Sequence, residues 1–277
     1  CVLTFTACSS DNDVNATGVS LSEKDILIEK GSSHSLKAVV SPENATNKDV
    51  KWTTSDANIA SVDNTGNVTA LKTGTATITV SLVGGNFMAQ CKVTVTSTVS
   101  GITLNKTSLS IEEGKTDMLI VTILPDDATN KKVMWTSNNE SIAKVSSNGE
   151  ITAIKPGTAI ITATTMDQNK TAQCKVTVTS TVSGITLNKT SLSIEKGKTD
   201  MLIATILPND ATNKAVTWTS DNESIVKVSS NGEITAIKPG TATITATTTD
   251  QNKTAQCKIT VTSTVSGITL NKTSLSI

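Results

Sequence analysis

The 277 residues contain no tyrosine, one histidine, two phenylalanines and three tryptophans. So few rings exclude the base-stacking platforms of single-strand nucleic-acid binders and the aromatic faces that hold sugars. A lone His34 excludes His-dependent triads and multi-histidine metal centres. Neither charge sign is in excess: 24 Lys+Arg stand against 24 Asp+Glu, and the pI is 6.8. Nucleic acid or an anionic bilayer as the main electrostatic partner requires a basic excess, which is missing. No run approaches the roughly 20 apolar residues of a spanning helix. What is present is threonine, 50 residues of it, which with abundant Val and Ile makes a β-forming composition.

Self-similarity at a fixed period organises the chain. Trp52, Trp135 and Trp218 stand 83 residues apart, as do Cys91, Cys174 and Cys257, and Pro42, Pro125 and Pro208. Residues 18–100, 101–183 and 184–266 align without a gap; the second and third units match at 73 of 83 positions, the first and second at 39. A fourth unit starts at Gly267 and runs to Ile277, and the chain opens without Met, so it reads as a piece of a longer polypeptide. Solenoid repeats run about 20–45 residues and depend on their neighbours. A period of 83 fits a small domain with its own core.

Within each unit the pattern is β throughout. In the second, Leu119, Val121 and Ile123 alternate with outward residues, as do Val133 and Trp135, Ile151 and Ala153, Ile161 and Ala163, and Cys174, Val176 and Val178. Period-two alternation in short runs marks half-buried strands, and Pro125-Asp126-Asp127, Ser147-Asn148-Gly149 and Pro156-Gly157 supply turns between them. The fold class predicted is all-β: three tandem immunoglobulin-like sandwiches of about seven strands each, plus the start of a fourth. Tryptophans 52, 135 and 218 and cysteines 91, 174 and 257 are assigned to the structural core.

The string Val-x-Trp-Thr-Ser-x-Asn-x-Ser-Ile-Ala-x-Val, continuing through Gly-x-Ile-Thr-Ala to Gly-Thr-Ala-x-Ile-Thr-Ala, spans Val133 to Ala163. It resembles the signature of the bacterial immunoglobulin-like domain, group 2, of intimin- and invasin-type surface proteins. Unit three repeats it from Val216 to Ala246 with Val226 for the first Ala, and unit one keeps Trp52, Ile59, Val62, Gly66, Gly74 and Ile78. The resemblance covers residues 18–266 and implies a scaffold and surface display, with no particular ligand.

Residues 1–17 precede the first unit. An apolar stretch, then Thr6, Ala7 and Cys8, then Ser9-Ser10-Asp11-Asn12-Asp13, resembles a bacterial lipoprotein signal with its polar tether. That resemblance implies acylation of Cys8 and attachment to a membrane by lipid. Phe5 stands where such signals carry Leu. A single cysteine per domain leaves no partner for an intradomain bridge, so Cys91, Cys174 and Cys257 read as buried free thiols.

Other polar groups read as structural. His34 has the parity opposite to Leu36, with Asp117 and Asp200 in its place in the other units. Asp63-Asn64-Thr65-Gly66 lacks the acidic run and the closing Glu of a calcium loop and reads as a turn. Asn44, Asn105, Asn139, Asn188 and Asn222 head Asn-x-Ser/Thr triplets and read as turn residues. The loop at 42–48, 125–131 and 208–214 is either a shared binding loop or a fixed path between strands. Phe87, after Gly84-Gly85-Asn86, is the exposed aromatic available for partner contact. No constellation here gathers nucleophile, base and cleft, so no catalysis, cofactor or metal is expected. The expected function is a monomeric, surface-displayed stalk spacing a distal module from the cell. The alternative is an adhesin whose domains themselves bind a host, extracellular or carbohydrate ligand.

Overall fold

A computed structural model describes residues 13–264 and 267–269. Cys1, Cys8 and the lipid-anchor reading attached to it, and residues 270–277 of the fourth start, lie outside the described residues. The described chain is made of strands and turns, with 27 strands and no helix. Repeat 1 carries β1 (Gly18–Leu21), β2 (Asp25–Glu29), β3 (Ser33–Ser35), β4 (Ala38–Ser41), β5 (Val50–Thr54), β6 (Ala60–Val62), β7 (Asn67–Ala70), β8 (Gly74–Leu82) and β9 (Met88–Thr96). The same nine recur 83 residues on, from β10 (Gly101–Leu104) to β18 (Thr171–Thr179), and again from β19 (Gly184–Leu187) to β27 (Thr254–Thr262).

The nine strands per repeat are the expected seven with two of them divided. Two of the seven are broken because each half pairs with a different neighbour. β1 pairs antiparallel with β4, whereas β2, beyond the polar Ser22-Glu23-Lys24, runs parallel to β9. Likewise β3 pairs with β7 while β4 pairs with β1, the break falling at Leu36 and Lys37.

The result is a four-stranded sheet in the order β2-β9-β8-β5 and a three-stranded sheet in the order β3-β7-β6, with β1-β4 as a separate ribbon. Inward residues of both sheets form one core: Ile26 and Ile28, Trp52, Ile78 and Val80, and Cys91, Val93 and Val95 from one side, Ala60, Val68 and Ala70 from the other. Thr75, Thr77 and Thr79 occupy the outward positions of β8, which is why threonine dominates the composition. A β-branched side chain suits the pleat, and its hydroxyl tolerates water on the outer face.

Repeat 3 has two buried groups, one around Ile194, Leu202, Ile234, Ile244 and Ile259, the other around Val182, Ile185 and Ile206, and Trp218 packs against both. In repeat 2, Leu119, Ile151, Ile161, Cys174 and Val176 are likewise buried. By backbone contact the chain groups into two compact units, Cys1–Asn105 with Val121–Met134 and Ala163–Ala172, and Lys106–Ile120 with Trp135–Thr162 and Gln173–Ile277. The division runs through repeat 2, whose loops beside the first junction belong with repeat 1.

Candidate functional site at the junctions between repeats

The polar groups singled out in the sequence do not converge on one cleft, and among the described residues no three His, Cys, Asp or Glu side chains group as metal ligands would. Each has a local use. The Asp63 carboxylate accepts from Thr65 N (2.8 Å), Thr65 Oγ1 (2.7 Å) and Asn67 N (3.0 Å), closing its own turn. The Thr65 hydroxyl first, then those amides, hold its carboxyl pKa below the usual carboxylate range. Asn139 and Asn222 accept from Ser141 N and Ser224 N at 3.2 Å in turns.

His34 Nε2 lies 2.8 Å from Glu23 Oε1 on the surface. At the same two positions repeats 2 and 3 place Lys106 against Asp117 at 2.6 Å and Lys189 against Asp200 at 2.5 Å. The pairing survives with the acidic member moved to the other position, a relation visible only once the strands are placed. Trp52 is buried, while Trp135 and Trp218 keep part of the indole exposed. Each lies on a glycine of the facing turn: Gly66, Gly149 and Gly232.

The most repeated loop has a structural occupant. Thr129 donates its amide to the Ser97 carbonyl (2.8 Å), and its Oγ1 accepts from Ser97 N (2.9 Å). Thr212 does the same for Ser180, with both contacts at 2.8 Å. The strap between repeats is then pinned a second time: Val99 N donates to Asp167 Oδ2 at 2.8 Å, and Val182 N to Asp250 Oδ2 at 2.9 Å. Val99 is buried with Ile123 and Ala128. From the side of repeat 1, Glu29 Oε1 accepts from Thr98 N (2.8 Å) and Thr98 Oγ1 (3.1 Å). A strap held from both sides, with its valine in a core, is not a flexible linker of the Gly/Ser kind. Sequence reasoning missed Thr129, Asp167 and Glu29. The available signal was the identity of the loop in every repeat, which it read only as a path or a ligand site.

The first junction carries one contact the second lacks. Lys30 Nζ meets Asp127 Oδ2 at 2.6 Å, and Ser97 Oγ meets the other carboxylate oxygen at 3.3 Å. In the next junction Glu113 and Asp210 stand at these positions, so no ion pair can form. The Lys30 ammonium, chiefly through its hydrogen bond, holds the Asp127 carboxyl below its ordinary range. Because the folded-state value is depressed, the contribution is present above the unfolded aspartate range and is lost as pH falls through the folded value. Acidification is therefore expected to loosen the first junction before the second. The readout is nitrogen-15 relaxation, in which repeats 1 and 2 begin to tumble independently at low pH; an identical acid response in Lys30→Gln would show that the pair is not the cause.

Three sandwiches in series, each repeating the last and each strapped to its neighbour, define a tandem immunoglobulin-like protein. The chain belongs to the family Bacterial Ig-like domain (group 2), matched at residues 15–93, 98–176 and 181–259. That family supplies non-catalytic modules of surface and virion proteins. An uncharacterized protein of Clostridium acetobutylicum is 40% identical over 178 residues, 63% of this chain and 18% of that protein. An Ig-like virion protein of Serratia phage KSP90 is 40% identical over 144 residues, 50% of this chain and 56% of that protein. The chain thus spans less than two thirds of either relative's length. Ice-binding protein 1 of Shewanella frigidimarina is 26% identical over 247 residues, 85% of this chain and 28% of that protein. Among solved structures, the I-band fragment I67–I69 of titin superposes with a TM-score of 0.48 at 14% identity, covering 89% of this chain and 99% of that one.

Proposed function

We propose that the chain is a spacer: a lipid-anchored, surface-displayed stalk of the intimin and invasin kind that holds a distal module away from a bacterial cell. The observation that supports it most is the use of the common loop. A surface kept alike in every repeat is the natural place for a shared ligand site, but here Thr129 and Thr212 engage the incoming strap. What the repeats have in common is thus employed in joining one to the next. Near-identity of repeats 2 and 3 fits the same reading, because a spacer gains by multiplying a unit unchanged, whereas a ligand site gains by divergence. Lipid attachment through Cys8 and a monomeric state belong to this proposal.

Two measurements test it. Cys8→Ser in the full-length protein should move it from the membrane to the soluble fraction; retention with lipid label would remove the anchor. Small-angle scattering of the three repeats should give an elongated particle on the order of 100 Å, from strands of about 3.3 Å per residue plus loops. Saturable binding of that same protein to extracellular matrix or glycans would make it an adhesin instead.

A further inference from the structure

The end of repeat 1 that carries Val14 and Thr46 differs from the equivalent ends of repeats 2 and 3 at the residues that, there, receive a preceding repeat. The clasp itself is kept: Val14 N donates to Thr46 Oγ1 and Thr46 N to Val14 O, both at 2.9 Å. Both interface carboxylates, however, are gone. Asp127 and Asp210 become Asn44, and Asp167 and Asp250 become Gly84. Around them the β8–β9 hairpin changes character. Asp-Gln-Asn-Lys at 167–170 and 250–253 becomes Gly84-Gly85-Asn86-Phe87, followed by Met88 where the others have Thr171 and Thr254.

The shape of the turn changes with the composition. In repeats 2 and 3 the turn passes through two left-handed residues, with Gln168 and Asn169 at φ 61° and 49° and Gln251 and Asn252 at 62° and 50°. It is also clamped from within by Thr165 Oγ1 and Thr248 Oγ1, each 2.6 Å from the carbonyl of Asp167 or Asp250. Repeat 1 replaces that threonine by buried Leu82 and leaves Val83, Phe87 and Met88 exposed at 48%, 40% and 63%. Val83 and Phe87, with Asp13 to Ala16, line an open cleft of about 370 Å³. The end lacks the carboxylates that meet a preceding repeat at the first junction, and it adds Phe87 and Met88 beside Val83, a position where repeat 2 also exposes an apolar side chain, Met166.

Its place along the chain points to the partner. Only five residues separate Cys8 from Val14, and six Cα steps reach at most about 20 Å. Since Val14 is fixed to Thr46 and lines one cleft with Val83 and Phe87, an acylated Cys8 would hold Val14 within that reach and keep the hairpin on the membrane side of repeat 1. We infer that the β8–β9 hairpin of repeat 1, through Val83, Phe87 and Met88, inserts into the lipid interface beside the anchor. Apolar side chains enter the headgroup and acyl boundary by about 5–10 Å when a second signal holds them there. The zero net charge is no obstacle, because the attraction is apolar and needs no anionic lipid. The inference rests on the anchored reading above, and it accounts for the departure of repeat 1 on the side nearest the membrane.

The test places the probe at the tip. Full-length Phe87→Trp, lipidated at Cys8, is reconstituted in phosphatidylcholine vesicles with and without brominated acyl chains, and the emission of the parent protein, from Trp52, Trp135 and Trp218, is subtracted. The added indole should be blue-shifted and quenched by the brominated lipid, and Val83→Lys/Met88→Lys in the same background should abolish both changes while the protein stays with the vesicles. An unquenched indole on a protein that remains vesicle-bound would overturn the insertion and leave the anchor standing. If Cys8 carries no lipid, the anchor fails alone. The same protein, with a histidine tag replacing residues 1–8 and held on nickel-chelating lipid, then tests the hairpin directly: quenching supports insertion, and its absence overturns it.

Discussion

Gly149→Ala is expected to cost repeat 2 about 2–5 kcal/mol, the sum of left-handed backbone strain of about 1–2 and overpacking of about 1–3. Gly149 has φ +89°, and a Cβ there would lie 2.5 Å from the Leu119 carbonyl oxygen and 2.8 Å from Trp135 Cζ2. The carbonyl has no room to withdraw, because the Leu119 amide is itself bound to the Gly149 carbonyl at 3.0 Å. Trp135→Ala approaches the same contact from the other side and should cost about 3 kcal/mol, the low end for tryptophan because the indole is only half-buried. The double variant should cost less than the two singles added, since removing the indole relieves one of the two clashes. Urea-dependent alkylation of buried Cys174 reads the loss in repeat 2, with Trp52 and Trp218 fluorescence reporting on the neighbours.

The same experiment asks whether the repeats are autonomous. Each of repeats 1 and 3 has buried clusters of its own, which favours separate transitions. The straps oppose complete independence: Val99 is buried with Ile123 and Ala128, so melting of repeat 2 frees the end of repeat 1's last strand. A modest loss in repeat 1 is therefore consistent with autonomy. Simultaneous loss of all three repeats is not, and would show that the chain folds as one unit.

Much of this is legible in the amino-acid order alone. Periodicity reports burial, and the alternation of Cys174, Val176 and Val178 puts all three on one face, where each is 2% exposed or less. The all-β sandwich follows from that alternation and from turn chemistry, because both are local. Partner choice is not local. β1 and β2 share one stretch of chain, but pair with β4 and β9, and no pattern of apolar residues announces the change of neighbour. The exchanged pairs Glu23–His34 and Lys106–Asp117 lie 11 residues apart in sequence and become legible only across the sandwich. The junction is half legible: its shortness indicates restraint, but Glu29, Asp127 and Asp167 are ordinary surface acids until the strap is seen among them.

The three thiols should resist labelling in the native protein by about a thousandfold or more relative to the denatured chain, the protection that a domain stable by about 5 kcal/mol confers when reaction requires opening. Cys91, Cys174 and Cys257 are 0% exposed and unbridged, with Cys91 facing Ile78 and Cys257 facing Ile244 across their ladders. Burial, first among the causes, pushes all three thiols up from their ordinary acidity, and Glu23 and Asp25 add to it at Cys91. Because the thiolate is the reactive species, inaccessibility and the suppressed charge act in the same direction. The sign of the pH effect follows: a raised folded-state value gives a contribution complete below the unfolded thiol value of about 8.5 and lost as pH rises through the folded one. Alkaline conditions should therefore destabilise every repeat, and Cys174→Ala should remove that alkaline slope from repeat 2. Cys174→Ser should instead cost about 1–3 kcal/mol at neutral pH, the penalty for burying a hydroxyl without a partner. Mass spectrometry of timed alkylation separates the sites, and rapid native labelling at any of them would place that cysteine on the outer face of its sheet and reverse the parity of its strand.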